Sequence, residues 1–98
     1  MNKFSRTQKF TKANIKNVPE NKAIIYKIKD VNGKNLYIGI AGRGRGQDRL
    51  MEHKELKKDI IPRGTRFQFT QVKNKPRAEQ IEKQIIKKEQ PKFNIKDK

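Results

Sequence analysis

The stretch "AIIYKIKDVNGKNLYIGIA", residues 23–41, decides the fold. Two runs rich in Ile and Tyr flank Asn32-Gly33, and a two-residue type I′ turn needs φ > 0 at both central positions, which Asn-Gly supplies. A β-hairpin follows, with Val31 facing Lys34, Ile28 facing Tyr37 and Tyr26 facing Gly39. Tyr26 and Tyr37 then lie on one face, diagonal to each other, and Gly39 leaves room beside the Tyr26 ring. Both hydroxyls can reach one point in space. The plainer alternative is aromatic packing across a strand pair.

C-terminal to the hairpin, Gly42, Gly44 and Gly46 end the second strand. "QDRLMEHKELKKD" then has helical composition and no breaker before Pro62, which predicts a helix over about 47 to 60 with Asp48 near its positive end. "IPRGT" reads as a turn, and "TRFQFTQV" alternates Phe67 and Phe69 with polar residues, the period of a half-buried strand. Pro76 opens a second helix, "PRAEQIEKQIIKKEQ", and Pro91 closes it. The order is β-β-α-β-α, with neither an internal repeat nor a linker. On the N-terminal side, residues 1–19 carry five basic side chains and no acid. They are expected to form a basic arm, lightly packed or holding a short helix, ahead of a domain over residues 20–98.

The 98 residues suit one small domain with little stability to spare. No signal-like or membrane-spanning apolar run is present, so a cytoplasmic protein is expected. Cysteine is absent, which excludes disulfides, thiolate metal sites and cysteine nucleophiles, and the single histidine, His53, excludes sites built on several imidazoles. A divalent ion would need oxygen ligands. With 26 Lys and Arg against 10 Asp and Glu, the formal net charge is +16. Such self-repulsion is offset by a polyanion, which points to nucleic acid as partner.

Within this frame a few side chains stand out. Arg49 and His53, at i and i+4, project from one helix face; the first can grip a phosphate in bidentate fashion and the second can exchange a proton near neutral pH. On the second helix, Ala78, Ile81, Ile85 and Ile86 form an apolar stripe, and Glu82 sits on its edge. A carboxylate there is costly unless it pairs with a cation or a metal, and a structural salt bridge to a lysine is the competing reading.

In this order the residues resemble the GIY-YIG nuclease family: "IIY" at 24–26, "YIG" at 37–39, "RLMEH" with Arg49 and His53, and "EKQIIKKEQPKFN" from Glu82 to Asn94. The blocks span about residues 20 to 95. The resemblance implies a small α+β fold, a three-stranded antiparallel sheet flanked by helices with phosphodiester hydrolysis of DNA on one sheet face. It implies that Glu82 holds one Mg²⁺ or Mn²⁺, that Arg49 neutralises charge on the scissile phosphate, and that His53 assists by a hydrogen bond. Tyr26 or Tyr37 would orient and deprotonate the attacking water, its pKa lowered by nearby cations and the ion. Gly39 and Asn94 would be structural, Asn94 locking a helix end. Arg43 and Arg45 would contact the DNA backbone. A bacterial or phage-infected cell is the expected setting, and a protein partner can supply targeting.

Two rivals remain at this level. One is a catalytically decayed DNA- or RNA-binding protein of the same fold. The other treats "GRGRG" at 42–46 as an arginine-glycine RNA-binding segment or a phosphate loop; the nucleotide-binding glycine patterns fit it poorly.

Overall fold

The computed structural model describes residues 4–54, 61 and 63–95. Eight elements follow in chain order: β1 (Gln8–Lys9), α1 (Lys12–Lys16), β2 (Ala23–Lys29), β3 (Asn35–Ala41), α2 (Gly46–Lys54), β4 (Arg66–Val72), α3 (Lys75–Glu89) and α4 (Lys92–Ile95). The architecture is the expected α+β one, a small antiparallel sheet with helices against it. The sheet has four strands in the order β1-β4-β2-β3, where three were expected. The extra strand is the two-residue β1, whose Gln8 and Lys9 pair with Phe67 and Arg66 on the otherwise open edge of β4.

The hairpin keeps the expected register through its body, with Tyr26 opposite Gly39 and Ile28 opposite Tyr37. Its tip differs. Lys29 pairs with Asn35 across an irregularity at Ile28/Lys29, and Gly33 N–H donates to the Asp30 carbonyl at 3.0 Å while Asp30 N–H donates to Lys34. Gly33 alone takes a positive φ, 85°. This is a turn centred on Val31 and Asn32 that ends in a left-handed glycine, in place of the two-residue type I′ turn. Asp30 accounts for the change: its carboxylate accepts from the N–H groups of Asn32 and Lys34, both at 2.9 Å, and so favours the longer loop.

Strand β2 pairs on both sides, and its alternating side chains feed two apolar layers. Ile24, Tyr26 and Ile28 join Phe67, Leu36, Ala41 and Leu50 on one side. Ala23 and Ile25 join Ile38, Val72 and Ala78 on the other, where Ile81, Ile85 and Ile86 of α3 complete the layer. The N-terminal stretch is more than an arm: Phe10, Ile15 and Val18 are buried in the first layer. Thr11 caps α1 by accepting from Asn14 N–H at 3.2 Å.

The later helices follow their sequence signals. Asn74 caps α3 through Arg77 N–H, Pro76 lies in its first turn, and Gln90 ends it in the left-handed region ahead of Pro91. Helix α2 starts at Gly46 and is described to Lys54; the expected continuation to 60 lies outside the described residues. Its first turn is satisfied from a distance. The Glu20 carboxylate accepts from Gln47 N–H at 3.1 Å, an anion at the positive helix end. Among the described residues, no helix is long and apolar enough to cross a membrane.

Candidate active site

Strand β2 delivers Tyr26, β3 delivers Tyr37 and α2 delivers Arg49 and His53 to one place. Helix α2 is anchored by Leu50, fully buried in the layer that also holds Tyr26. Arg49 and His53 flank that anchor in sequence and turn toward the strands. Tyr26 Oη and His53 Nε2 are 2.8 Å apart in a buried hydrogen bond. The rings form a triangle, with centroids 5.5 Å apart for Tyr26 and His53, 4.9 Å for Tyr37 and His53 and 6.4 Å for the two tyrosines.

Gly39 makes this geometry possible. A Cβ there would lie 2.5 Å from Tyr26 Oη and 2.6 Å from its Cζ, so any side chain would push the phenol out of place. Ile24, beside Tyr26 on the same strand face, is accommodated by a second glycine: a Cβ on Gly46 would come within 2.7 Å of Ile24 Cδ1.

The two tyrosines are not equivalent. Tyr26 is fully buried and Tyr37 only partly. Burial drives the Tyr26 phenol far above its ordinary range, with Tyr37 and Glu82 adding to the effect. Arg49, within hydrogen-bonding reach of the phenol, pulls the other way and does not compensate. At Tyr26 loss of solvent around the phenolate outweighs that one nearby cation.

Arg49 is itself held. Its guanidinium forms an ion pair and hydrogen bond with Glu52, one turn on along α2. Burial alone would depress its pKa, but Tyr26, Glu52 and Tyr37 raise it further. Glu52 escaped the sequence reading, although its i, i+3 spacing from Arg49 was the available signal. Arg43 and Arg45 lie outside the cluster, both exposed, and Arg45 faces the exposed Asp48 at 3.8 Å.

Glu82 comes from the opposite layer, on α3, which packs against β2, β3 and β4. The half-buried carboxylate has no hydrogen bond or ion pair within bonding distance among the described residues, so the lysine salt bridge considered from the sequence is not formed there. Burial raises its pKa, Glu79 adds to this and Lys83 opposes it. An uncompensated, partly desolvated carboxylate is the donor chemistry of a hard divalent cation. Among the described residues no three His, Cys, Asp or Glu side chains cluster.

Asn94, at the far end of this unit, clamps the open edge of β3. Its Oδ1 accepts from Ile38 N–H at 2.8 Å and its Nδ2 donates to the Ile38 carbonyl at 2.9 Å, as a neighbouring strand would. The bond pair ties α4 to the residue between Tyr37 and Gly39.

Comparison with known proteins agrees with this fold. The chain is similar to the crystal structure of the GIY-YIG N-terminal endonuclease domain of UvrC from Thermotoga maritima, a point mutant bound to its catalytic divalent cation. Identity is 26%, the TM-score is 0.69, and the match covers 83% of this chain and 90% of that one. No curated protein sequence matches the chain. The family model of the GIY-YIG catalytic domain matches residues 22–95, and the chain belongs to that family.

Proposed function

We propose that the protein is a divalent-metal-dependent endonuclease that hydrolyses phosphodiester bonds in DNA. One observation carries the reading: Tyr26, Tyr37, Arg49 and His53 converge while Glu82 is left without a partner among the described residues. A purely structural cluster would compensate that carboxylate, as the Lys27 ion pair at 3.0 Å and the Asn35 amide hydrogen bond at 2.8 Å compensate Glu89 on the same helix. Perturbed groups of this kind concentrate at functional sites.

Each side chain has a task its environment suits. Glu82 would hold Mg²⁺ or Mn²⁺, which when bound supplies charge stabilisation at the scissile phosphate and the leaving oxygen. Arg49 would donate to the nonbridging phosphate oxygens. Its several N–H donors allow it to keep Glu52 and Tyr26 while still gripping phosphate, so Glu52 acts as the residue that aims it. Tyr37, partly exposed, suits the proton-accepting role toward water better than Tyr26, whose burial favours the neutral phenol. Tyr26 and His53 then form the packed support that fixes the position of Tyr37.

Cleavage of supercoiled and branched DNA with Mg²⁺, by the unaltered chain and by Glu82→Gln, tests the reading. Nicking by the first and its loss in the second are expected. Intact DNA with both proteins, despite salt-sensitive binding, would overturn it.

A further inference from the structure

Away from the tyrosine cluster, the start of β2, the loop that leaves β3 and the turn from β4 into α3 enclose an open groove. Lys22, Arg43, Lys73 and Lys75 line it together with Asn21 and Asn74, and no acid does. All four cations are exposed, and none is in an ion pair among the described residues. The acceptor oxygens of both amides are already used. Asn74 Oδ1 caps α3 at 3.0 Å from Arg77 N, and Asn21 Oδ1 accepts from Gln71 Nε2 at 2.7 Å. Every charged side chain that lines the groove is a donor. Such a surface complements an anion.

Its position says which anion. Ala23, also on the groove, precedes Tyr26 by three strand residues, which is about 10 Å along β2. Lys75 precedes Glu82 by seven helical residues, again about 10 Å along α3. Both elements thus lead from the candidate site to the groove over one span. Successive phosphates of a duplex strand advance about 3.4 Å along its axis, so for a duplex whose axis runs along this span it corresponds to about three nucleotides.

We propose that this groove is a second backbone-binding site, which holds the DNA strand about three phosphates from the scissile bond. The proposal rests on the nuclease reading. It also separates the two loop arginines: Arg43 belongs to the groove, whereas Arg45 faces Asp48.

Fluorescence anisotropy with duplex DNA in chelator, on a Glu82→Gln background that prevents cutting, tests the groove. Combined Lys22→Ala, Arg43→Ala, Lys73→Ala and Lys75→Ala should flatten the slope of log affinity against log salt by about 3 to 4, near 0.9 per lost phosphate contact. A control with the same change in charge, Arg6→Ala, Lys9→Ala, Lys16→Ala and Lys34→Ala, should flatten it much less. Equal slopes for the two variants would overturn the proposal. A second arm needs no variant: single neutral methylphosphonate linkages walked along the DNA should weaken binding by the unaltered chain near the third phosphate from the cut, and a uniform response would also overturn it. If the unaltered chain cuts DNA yet fails these arms, the groove alone is refuted. If it never cuts, the nuclease reading fails, and the anisotropy still decides whether the groove holds DNA.

Discussion

Glu82 and Glu89 lie two turns apart on α3, close to one face of the same helix, and their surroundings push them in opposite directions. Burial works against the charge of both. At Glu89, hydrogen bonds from Asn35 and Lys27 overcome it, and the carboxyl falls below its ordinary range. At Glu82, with Glu79 as a repulsive neighbour, the carboxyl rises. A fold dense in lysine had cations to spare for both glutamates, yet only the second is paired among the described residues. The difference ties Glu89 into the framework and leaves Glu82 in the state that the proposed metal-binding role requires.

The largest effect that sharpens this contrast is on catalysis. Glu82→Gln should lower DNA cleavage by at least about 10³-fold, because charge stabilisation by a metal is worth several kcal/mol and each 1.36 kcal/mol is about tenfold. Glu89→Gln should leave the rate at saturating DNA within about threefold of the original. Arg49→Ala should cost about 10² to 10³-fold in kcat, the scale of one lost electrostatic donor in a transition state. Steady-state cleavage of a defined duplex reads all three, and a Glu89→Gln chain as impaired as Glu82→Gln would erase the distinction.

The next effects are on stability. Gly39→Ala places a methyl group into the Tyr26 phenol and should destabilise the fold by about 1–3 kcal/mol in urea titrations while also reducing cleavage. Asn94→Ala removes both bonds to Ile38 and should cost about 1–3 kcal/mol, since a partly buried donor and acceptor lose their partner.

The smallest effect is the most specific, because it has opposite signs at the two glutamates. The raised folded-state pKa of Glu82 means that its ionisation disfavours folding, a penalty absent below the unfolded value of about 4.3 and complete above the folded one. In metal-free buffer Glu82→Gln should therefore equal the original chain in acid and exceed it in stability at neutral pH. The lowered pKa of Glu89 gives a contribution present above about pH 4.3 and lost as pH falls through the folded value. Glu89→Gln should be the less stable chain at neutral pH, by at most about 1 kcal/mol for such a partly exposed pair, and should converge with the original in acid. Melting curves across the acid range measure both differences.

Much of this arrangement could be read from the chain. The alternation in β2, β3 and β4 and the caps of α3 are local signals, and they located the hairpin register that sets Tyr26 beside Gly39. What escaped depends on partners distant in sequence or on residues too few to carry a pattern. A two-residue strand such as β1 has no period, and only the free edge of β4 reveals why Gln8 and Lys9 extend. The burial of Phe10, Ile15 and Val18 needs the sheet as a floor, which no local pattern announces. The turn at 30–34 was misread because the two carboxylate bonds of Asp30 outweigh the Asn-Gly preference. At the site, helix spacing paired Arg49 with His53 and put Glu82 on the edge of its stripe. That Glu82 lacks a partner among the described residues while Glu89 finds Lys27 and Asn35, more than fifty residues away, is a tertiary fact. So is the burial of Tyr26, which sets it apart from Tyr37.

The most direct test of the account is a Mn²⁺ binding isotherm without DNA, followed by the paramagnetic resonance signal of the free ion, for the unaltered chain, Glu82→Gln and Glu89→Gln. The account predicts one bound ion for the unaltered chain and for Glu89→Gln, and loss of that ion in Glu82→Gln. An undiminished isotherm for Glu82→Gln, or loss of the ion in Glu89→Gln, would contradict it.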